Sequence, residues 1–232
     1  MAMGIDGSVL VTGANRGIGL ELIRQLAPTA RRVIATCRDP AAARALTALA
    51  EAENAVEVRP LDVTDFAAVD ALAQELSGQP LDLVINNAGV YGSRTSPPDP
   101  AAWLDVLAVN TVAPIYLSHA VLPSVLASET RKVVNISSKV GSMADNHSGG
   151  APIYRSSKAA LNSATRSLAI DHAGQGLIAF VLHPGWVQTD MGGPNALINS
   201  ATSVRGMLKV IADADAASAG RFFNYDGAEI PW

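Results

Sequence analysis

The sequence predicts an α/β fold, a doubly wound parallel sheet of about seven strands flanked by helices, on three observations. Short β-branched runs alternate strictly with Ala- and Leu-rich stretches of helical length, the pattern of a parallel sheet covered on both faces. No internal repeat and no charged or Gly/Ser linker divides the 232 residues, a length that suits one core, so a single domain over 1–232 is expected. The irregular segments also fall after strand ends, at the edge where open α/β sheets bind ligands.

In chain order, a strand at 8–12 runs through a glycine turn into a helix at 17–27. A strand at 32–37 is followed by a helix at 41–52, and a strand at 56–61 by a helix at 66–76. The fourth strand, 81–85, opens into an irregular stretch, 86–100, that carries Gly92, Pro97, Pro98 and Pro100 before a long helix at 103–126. A strand at 132–136 precedes the irregular segment 137–152 and a helix at 153–173. The strand at 177–182 opens into 184–203, with three glycines and two prolines, followed by a helix at 204–212 and a last strand at 220–223.

Composition excludes several functions. With 49% hydrophobic and 16% charged residues and a net charge of -4, neither disorder nor a polyanion-binding surface is favoured, so no nucleic-acid partner is expected. Residues 1–8 hold no basic region followed by an apolar run, and the most apolar stretch, 106–127, is broken by Asn110, Pro114, Ser118, His119 and Pro123. No membrane association and a cytoplasmic location are the resulting expectations. The single cysteine, Cys37, permits no internal disulfide and no metal-binding pair; it is read as a small core residue at a strand end, and no metal is expected.

The first strand enters Thr12-Gly13-Ala14-Asn15-Arg16-Gly17-Ile18-Gly19. Glycines there let the chain turn tightly, approach a pyrophosphate closely and aim a helix N-terminus at it. A strand-to-helix turn wants glycine with or without a ligand, so its context decides. Asp62 ends the third strand before Val63, where a carboxylate can accept from an adenine amino group or simply shape a turn. Asn86-Asn87-Ala88-Gly89 ends the fourth, where small residues let the chain pass beside a ribose.

Tyr154-Arg155-Ser156-Ser157-Lys158 begins a helix, and residues four apart share a face. A nearby ammonium favours the phenolate, so the pair Tyr154 and Lys158 is expected to suit general acid/base work. Ser138, after the fifth strand, can supply a second hydrogen bond to a reacting oxygen. Asn110 is a poor helix former in mid-helix, which points to a kink or a bound water. Taken singly, each residue also has a plain packing, solvation or capping role.

The ordered set Thr12-Gly13-x-x-x-Gly17-x-Gly19, Asn86-Asn87-Ala88-Gly89, Asn110, Ser138, Tyr154-x-x-x-Lys158 and Pro184-Gly185 resembles the short-chain dehydrogenase/reductase family over nearly the whole chain. The resemblance implies a Rossmann-type domain and a Ser138, Tyr154, Lys158 and Asn110 tetrad. In such a tetrad the tyrosine exchanges the proton and the serine orients the substrate oxygen. The lysine holds the nicotinamide ribose and lowers the tyrosine pKa, and the asparagine positions a water. The cofactor set it implies comprises Gly13, Asn15, Arg16, Gly17, Ile18, Gly19, Arg38, Asp62, Val63, Asn87, Ala88, Gly89, Tyr154, Lys158, Pro184, Gly185, Val187 and Thr189. Residues 35–40, 142–150 and 226–232 look like those of C-factor and sniffer-type carbonyl reductases. One departure stands: Ser138 precedes Tyr154 by 16 positions, more than is usual, which leaves Ser137 as a substitute and fits a substrate-covering loop.

The expected activity is hydride transfer between NADP(H) and a small-molecule carbonyl or alcohol. Arg38, just after the second strand, and Arg16, in the turn, suit a 2′-phosphate, while Asp39 keeps NAD(H) as the runner-up. A dinucleotide-binding sensor or signalling protein is the alternative, and the resemblance implies a homodimer or homotetramer. His147 is read as a solvated loop residue or a substrate contact, and Trp186 and Met191 as cleft wall or loop packing.

Overall fold

The seven strands pair in parallel throughout, in the order β3-β2-β1-β4-β5-β6-β7, in a computed structural model that describes residues 5–93 and 97–232. Residues 1–4, half of the stretch read for a leader, and 94–96, within the irregular stretch 86–100, lie outside the described residues. The strands are β1 Ser8–Thr12, β2 Arg32–Cys37, β3 Val56–Pro60, β4 Leu83–Asn86, β5 Lys132–Ile136, β6 Ile178–His183 and β7 Phe222–Asn224. From β1 the chain winds outward to β3, then returns to lay β4 on the other side of β1. That reversal between β1 and β4 opens a crevice at their C-terminal ends.

The sheet is buried on both faces because alternate residues serve opposite layers. Val9, Val11, Phe180 and Leu182 point into one core, with Leu22 and Ile23 of α1 (Gly17–Leu26) and Met207 and Ile211 of α8 (Ser200–Asp213). Leu10, Val84, Val133 and Ala179 point into the other. There they meet α3 (Phe66–Glu75), α5 (Ala113–Ala120) and α7 (Pro152–Asp171). Cys37 is a buried strand-end residue, as expected.

Element ends move by local hydrogen bonding. The helix expected at 41–52 is α2, Arg44–Ala52, because the Asp39 carboxylate accepts from the amides of Ala41 and Ala42 and holds them in a turn. The helix expected at 204–212 starts at Ser200, because the Asn199 side chain caps it by accepting from Thr202. The single helix expected at 103–126 is three: α4 (Pro100–Leu107), α5, and α6 (Leu122–Leu126), with a π-helical turn at Ala108–Val112 between the first two. Pro114 has no N–H to give the Asn110 carbonyl four residues back, and the register slips so that the Ala113 amide reaches Ala108 instead. The irregularity at Asn110, where a kink or a bound water was expected, is this π-helical turn. The helical run Pro100–Ala120 is long and apolar enough by composition to cross a membrane, yet here α4 packs on α7, and α5 on both α3 and α7.

Candidate active site

At the crevice, β1 and β4 are tied together by side chains. Thr12 Oγ1 accepts from the amides of Asn87 and Ala88, both at 3.1 Å, and Asn87 Nδ2 donates to the carbonyls of Thr12 at 2.9 Å and Gly13 at 3.1 Å. This close approach dictates the glycines. Gly13 has φ +66°, and a Cβ there would lie 2.8 Å from Ala88 Cα; at Gly19 a Cβ would lie 2.1 Å from the Gly13 carbonyl oxygen. Asp65, Asp99 and Asn199 cap α3, α4 and α8, whereas α1, like α2, α5, α6 and α7, has no side-chain cap. The first turn of α1 is a positive helix end with no side-chain acceptor at the cap among the described residues.

Around that turn sit the charged residues read for the cofactor. Arg38 is exposed and, among the described residues, forms no ion pair, because Asp39 is occupied by the α2 turn. Asp62 Oδ1 accepts from the Thr64 amide and hydroxyl at 2.9 and 2.7 Å; these bonds, with a smaller attraction from Arg38, hold its carboxyl below the usual range. Here Asp62 shapes a turn. Arg16 reaches away from the turn to Asp190, 2.5 Å between Nη1 and Oδ2, linking it to the segment 184–203.

The tetrad residues converge. Ser138 follows β5 and leads into a 3-10 turn at Lys139–Gly141, its Oγ accepting from the Val140 amide at 3.4 Å, and it lines the same cleft as Tyr154. Ser137 also lines the cleft, but its hydroxyl is spent on Asn162, to which it donates at 2.6 Å. Lys158, one helical turn after Tyr154, is buried; its Nζ donates to the Ile136 carbonyl at 2.8 Å and lies 5.9 Å from the Tyr154 ring centroid. Asn110 grips Val90 with both ends of its amide, at 2.9 and 2.8 Å, and donates to Ser157 at 3.0 Å.

The electrostatics run against the expected lowering of the phenol. Burial pushes Tyr154 up to about 12, the Ser138 hydroxyl opposes it, and Tyr91 adds to the rise. Burial likewise brings Lys158 down to about 8. An ammonium reaching the Ile136 carbonyl and only the ring face of Tyr154 does not offset the desolvation of the phenolate.

Ser138 and Tyr154 line a cavity of about 850 Å³ whose walls include Tyr91, Ile153, His183, Trp186, Thr189 and Met191. Trp186 and Met191 are thus cleft wall, whereas His147 is exposed and outside the lining. Sequence reasoning missed Tyr91, which stacks on Tyr154, and His183, whose buried Nδ1 has no partner among the described residues. Both flank motifs already noticed: Tyr91 stands two places after Gly89, and His183 just before Pro184-Gly185. Asp190 was also missed, since nothing local marks its link to Arg16.

The sequence model of the family described as short chain dehydrogenase matches residues 8–197. The chain belongs to the short-chain dehydrogenase family. This short-chain dehydrogenase is 44% identical over 164 residues to C-signal of Myxococcus xanthus, covering 70% of this chain and 99% of that one. Its fold matches carbonyl reductase Sniffer of D. melanogaster with a TM-score of 0.93 and 35% identity, over 98% of this chain and 100% of that chain. It matches the NADPH-bound carbonyl reductase from chicken fatty liver with a TM-score of 0.91 and 38% identity, over 97% of this chain and 98% of that one. As a family member it is an oxidoreductase with a nicotinamide dinucleotide cofactor.

Proposed function

We propose that this short-chain dehydrogenase is an NADP(H)-dependent carbonyl reductase or alcohol dehydrogenase in which Tyr154 exchanges the proton. The observation that carries the reading is the convergence of the Ser138 and Tyr154 hydroxyls in the cleft, with Lys158 buried behind them. The nicotinamide, when bound, supplies or accepts the hydride. Tyr154, held protonated by burial, donates its proton to a carbonyl oxygen as that oxygen gains charge, and Ser138 supplies a second hydrogen bond to it. Lys158 holds the ribose, and Asn110 fixes the π-helical turn behind the site and positions a water.

A phosphorylated dinucleotide fits the residues present. The uncapped first turn of α1, with Gly13, Asn15, Gly17, Ile18 and Gly19, takes the pyrophosphate. Arg38, exposed and in no ion pair among the described residues, takes the 2′-phosphate together with Arg16 once that residue leaves Asp190. Asp62 and Val63 border the adenine; Asn87, Ala88 and Gly89 border the ribose; Pro184, Gly185, Val187 and Thr189 border the nicotinamide. NAD(H) is the lesser cofactor because Asp39 is engaged by backbone amides. The reading includes one catalytic domain over 1–232, a small-molecule carbonyl or alcohol substrate, a homodimer or homotetramer, and a cytoplasmic location.

A second reading, a dinucleotide-binding signalling protein with secondary activity, is favoured by the relative named C-signal. A screen of aldehydes, ketones and secondary alcohols with both cofactors, following reduced-nicotinamide absorbance, separates the two. Turnover with NADPH supports the first; tight dinucleotide binding with no turnover of any substrate supports the second.

A further inference from the structure

Between Ser138 and Tyr154 runs a stretch of cleft wall to which the proposed chemistry gives no role. Its interior is bonded to itself: Lys139 pairs with Asp145 at 3.1 Å, the Asp145 amide donates to Ser142 Oγ at 3.1 Å, and the Gly149 amide to Asn146 Oδ1 at 3.0 Å. One residue outside the loop closes its neck. Arg155 Nε donates to the Gly150 carbonyl at 3.0 Å, Nη1 to the Val140 carbonyl at 3.1 Å, and Nη2 to Ser148 Oγ at 2.9 Å. Val140 stands at the start of the loop, and Ser148 and Gly150 stand at its end, so a single planar fork spans both strands of the neck. An ammonium on a flexible stem does not match three fixed acceptors in this way.

Ala151, which delivers the chain into α7, has φ +45°, a conformation a non-glycine residue seldom takes, and α7 has no side-chain cap there. Arg155 also neighbours Tyr154 on the first turn of α7, so whatever it fixes is fixed relative to the Tyr154 hydroxyl. Val140, Asp145, Ser148 and Gly150 all line the cavity.

We propose that Arg155 is a positioning residue that holds the loop 140–150 as a preformed wall of the substrate cleft, so that the bulk of the carbonyl substrate meets a surface set before it arrives. The substrate half rests on the carbonyl-reductase reading; the loop half does not. Arg155→Ala, the milder Ser148→Ala and the conservative Arg155→Lys are compared by hydrogen exchange without ligands, and by kcat, KM and NADPH affinity with a carbonyl that the unmodified protein reduces. Arg155→Ala is expected to speed exchange at 142–149 and raise KM about tenfold, the value of one charge-assisted hydrogen bond. NADPH affinity should be unchanged and kcat should change far less than KM. Ser148→Ala should move both in the same direction by less, and Arg155→Lys should recover only part. Unchanged exchange at 142–149 in Arg155→Ala, or faster exchange with unchanged KM, overturns the proposal. So does a joint loss of kcat and NADPH affinity with the loop unaffected, which would place the effect in α7. If the unmodified protein reduces no carbonyl, the functional reading fails, while the exchange data still decide whether Arg155 holds the loop.

Discussion

Tyr91 stacks on Tyr154 with ring centroids 4.6 Å apart and planes inclined by 22°. The phenol read as the proton donor is thus packed against a second aromatic ring. An aromatic pair of this kind contributes about 0.5–1.5 kcal/mol beyond buried area, so Tyr91→Ala should destabilise the fold by about that much or slightly more. It should also lower kcat, because the Tyr154 hydroxyl loses a constraint on its position. Tyr91→Phe keeps the ring and with it the stack on Tyr154. Thermal unfolding and steady-state kinetics check this, and an Ala variant with undiminished kcat would remove Tyr91 from the account.

In the proposed reading, cofactor choice turns on Arg38. Hydrogen bonds to charged groups contribute about 1.5–3 kcal/mol, so Arg38→Ala should lower kcat/KM for NADPH roughly 10- to 100-fold and leave that for NADH nearly unchanged. An unmodified protein that prefers NADH, or a variant whose NADPH preference persists, contradicts the assignment.

Two buried bases make stability depend on pH. His183 has a pKa of about 4 in the fold against 6.5 when exposed, because burial disfavours its cation. The unfolded chain therefore binds the extra proton between those values, and stability is lost as pH falls from 6.5 towards 4, by about 3 kcal/mol at 1.36 kcal/mol per unit. Lys158, at about 8 against 10.5, gives the same sign in a higher window: stability rises as pH climbs from about 8 towards 10. Urea denaturation across pH checks both. His183→Gln should flatten the acid limb and Lys158→Met the alkaline one, and a variant that retains its limb refutes the corresponding assignment.

The fold was legible because a parallel sheet buried on both faces writes itself as apolar runs alternating with helical ones, and all seven strands fall within two residues of their expected bounds. Helix ends were less legible where a side chain intervenes, as Asp39 does before α2 and Asn199 before α8. The break at Asn110 was readable as a poor helix former, but its cause, the missing N–H of Pro114, depends on a partner four residues away. Within the site, the motif residues Ser138, Tyr154 and Lys158 could be found because their spacing is local or ordered along the chain. The Arg16–Asp190 pair could not, since folding alone brings it together, and Tyr91 and His183 were marked only by standing next to motifs. The direction of the Tyr154 shift also escaped the sequence. Helical spacing placed an ammonium near the phenol and could not weigh it against burial, which dominates.

The central claim is that the Tyr154 hydroxyl carries the proton, and Tyr154→Phe tests it with the least disturbance because the ring and its stack on Tyr91 remain. The measurement is single-turnover reduction of a carbonyl identified by the screen, alongside NADPH affinity by fluorescence titration. The account predicts that nearly all turnover disappears while NADPH binds about as tightly as before, since the lost oxygen acts on the substrate. Normal turnover in Tyr154→Phe, with NADPH bound, would contradict it.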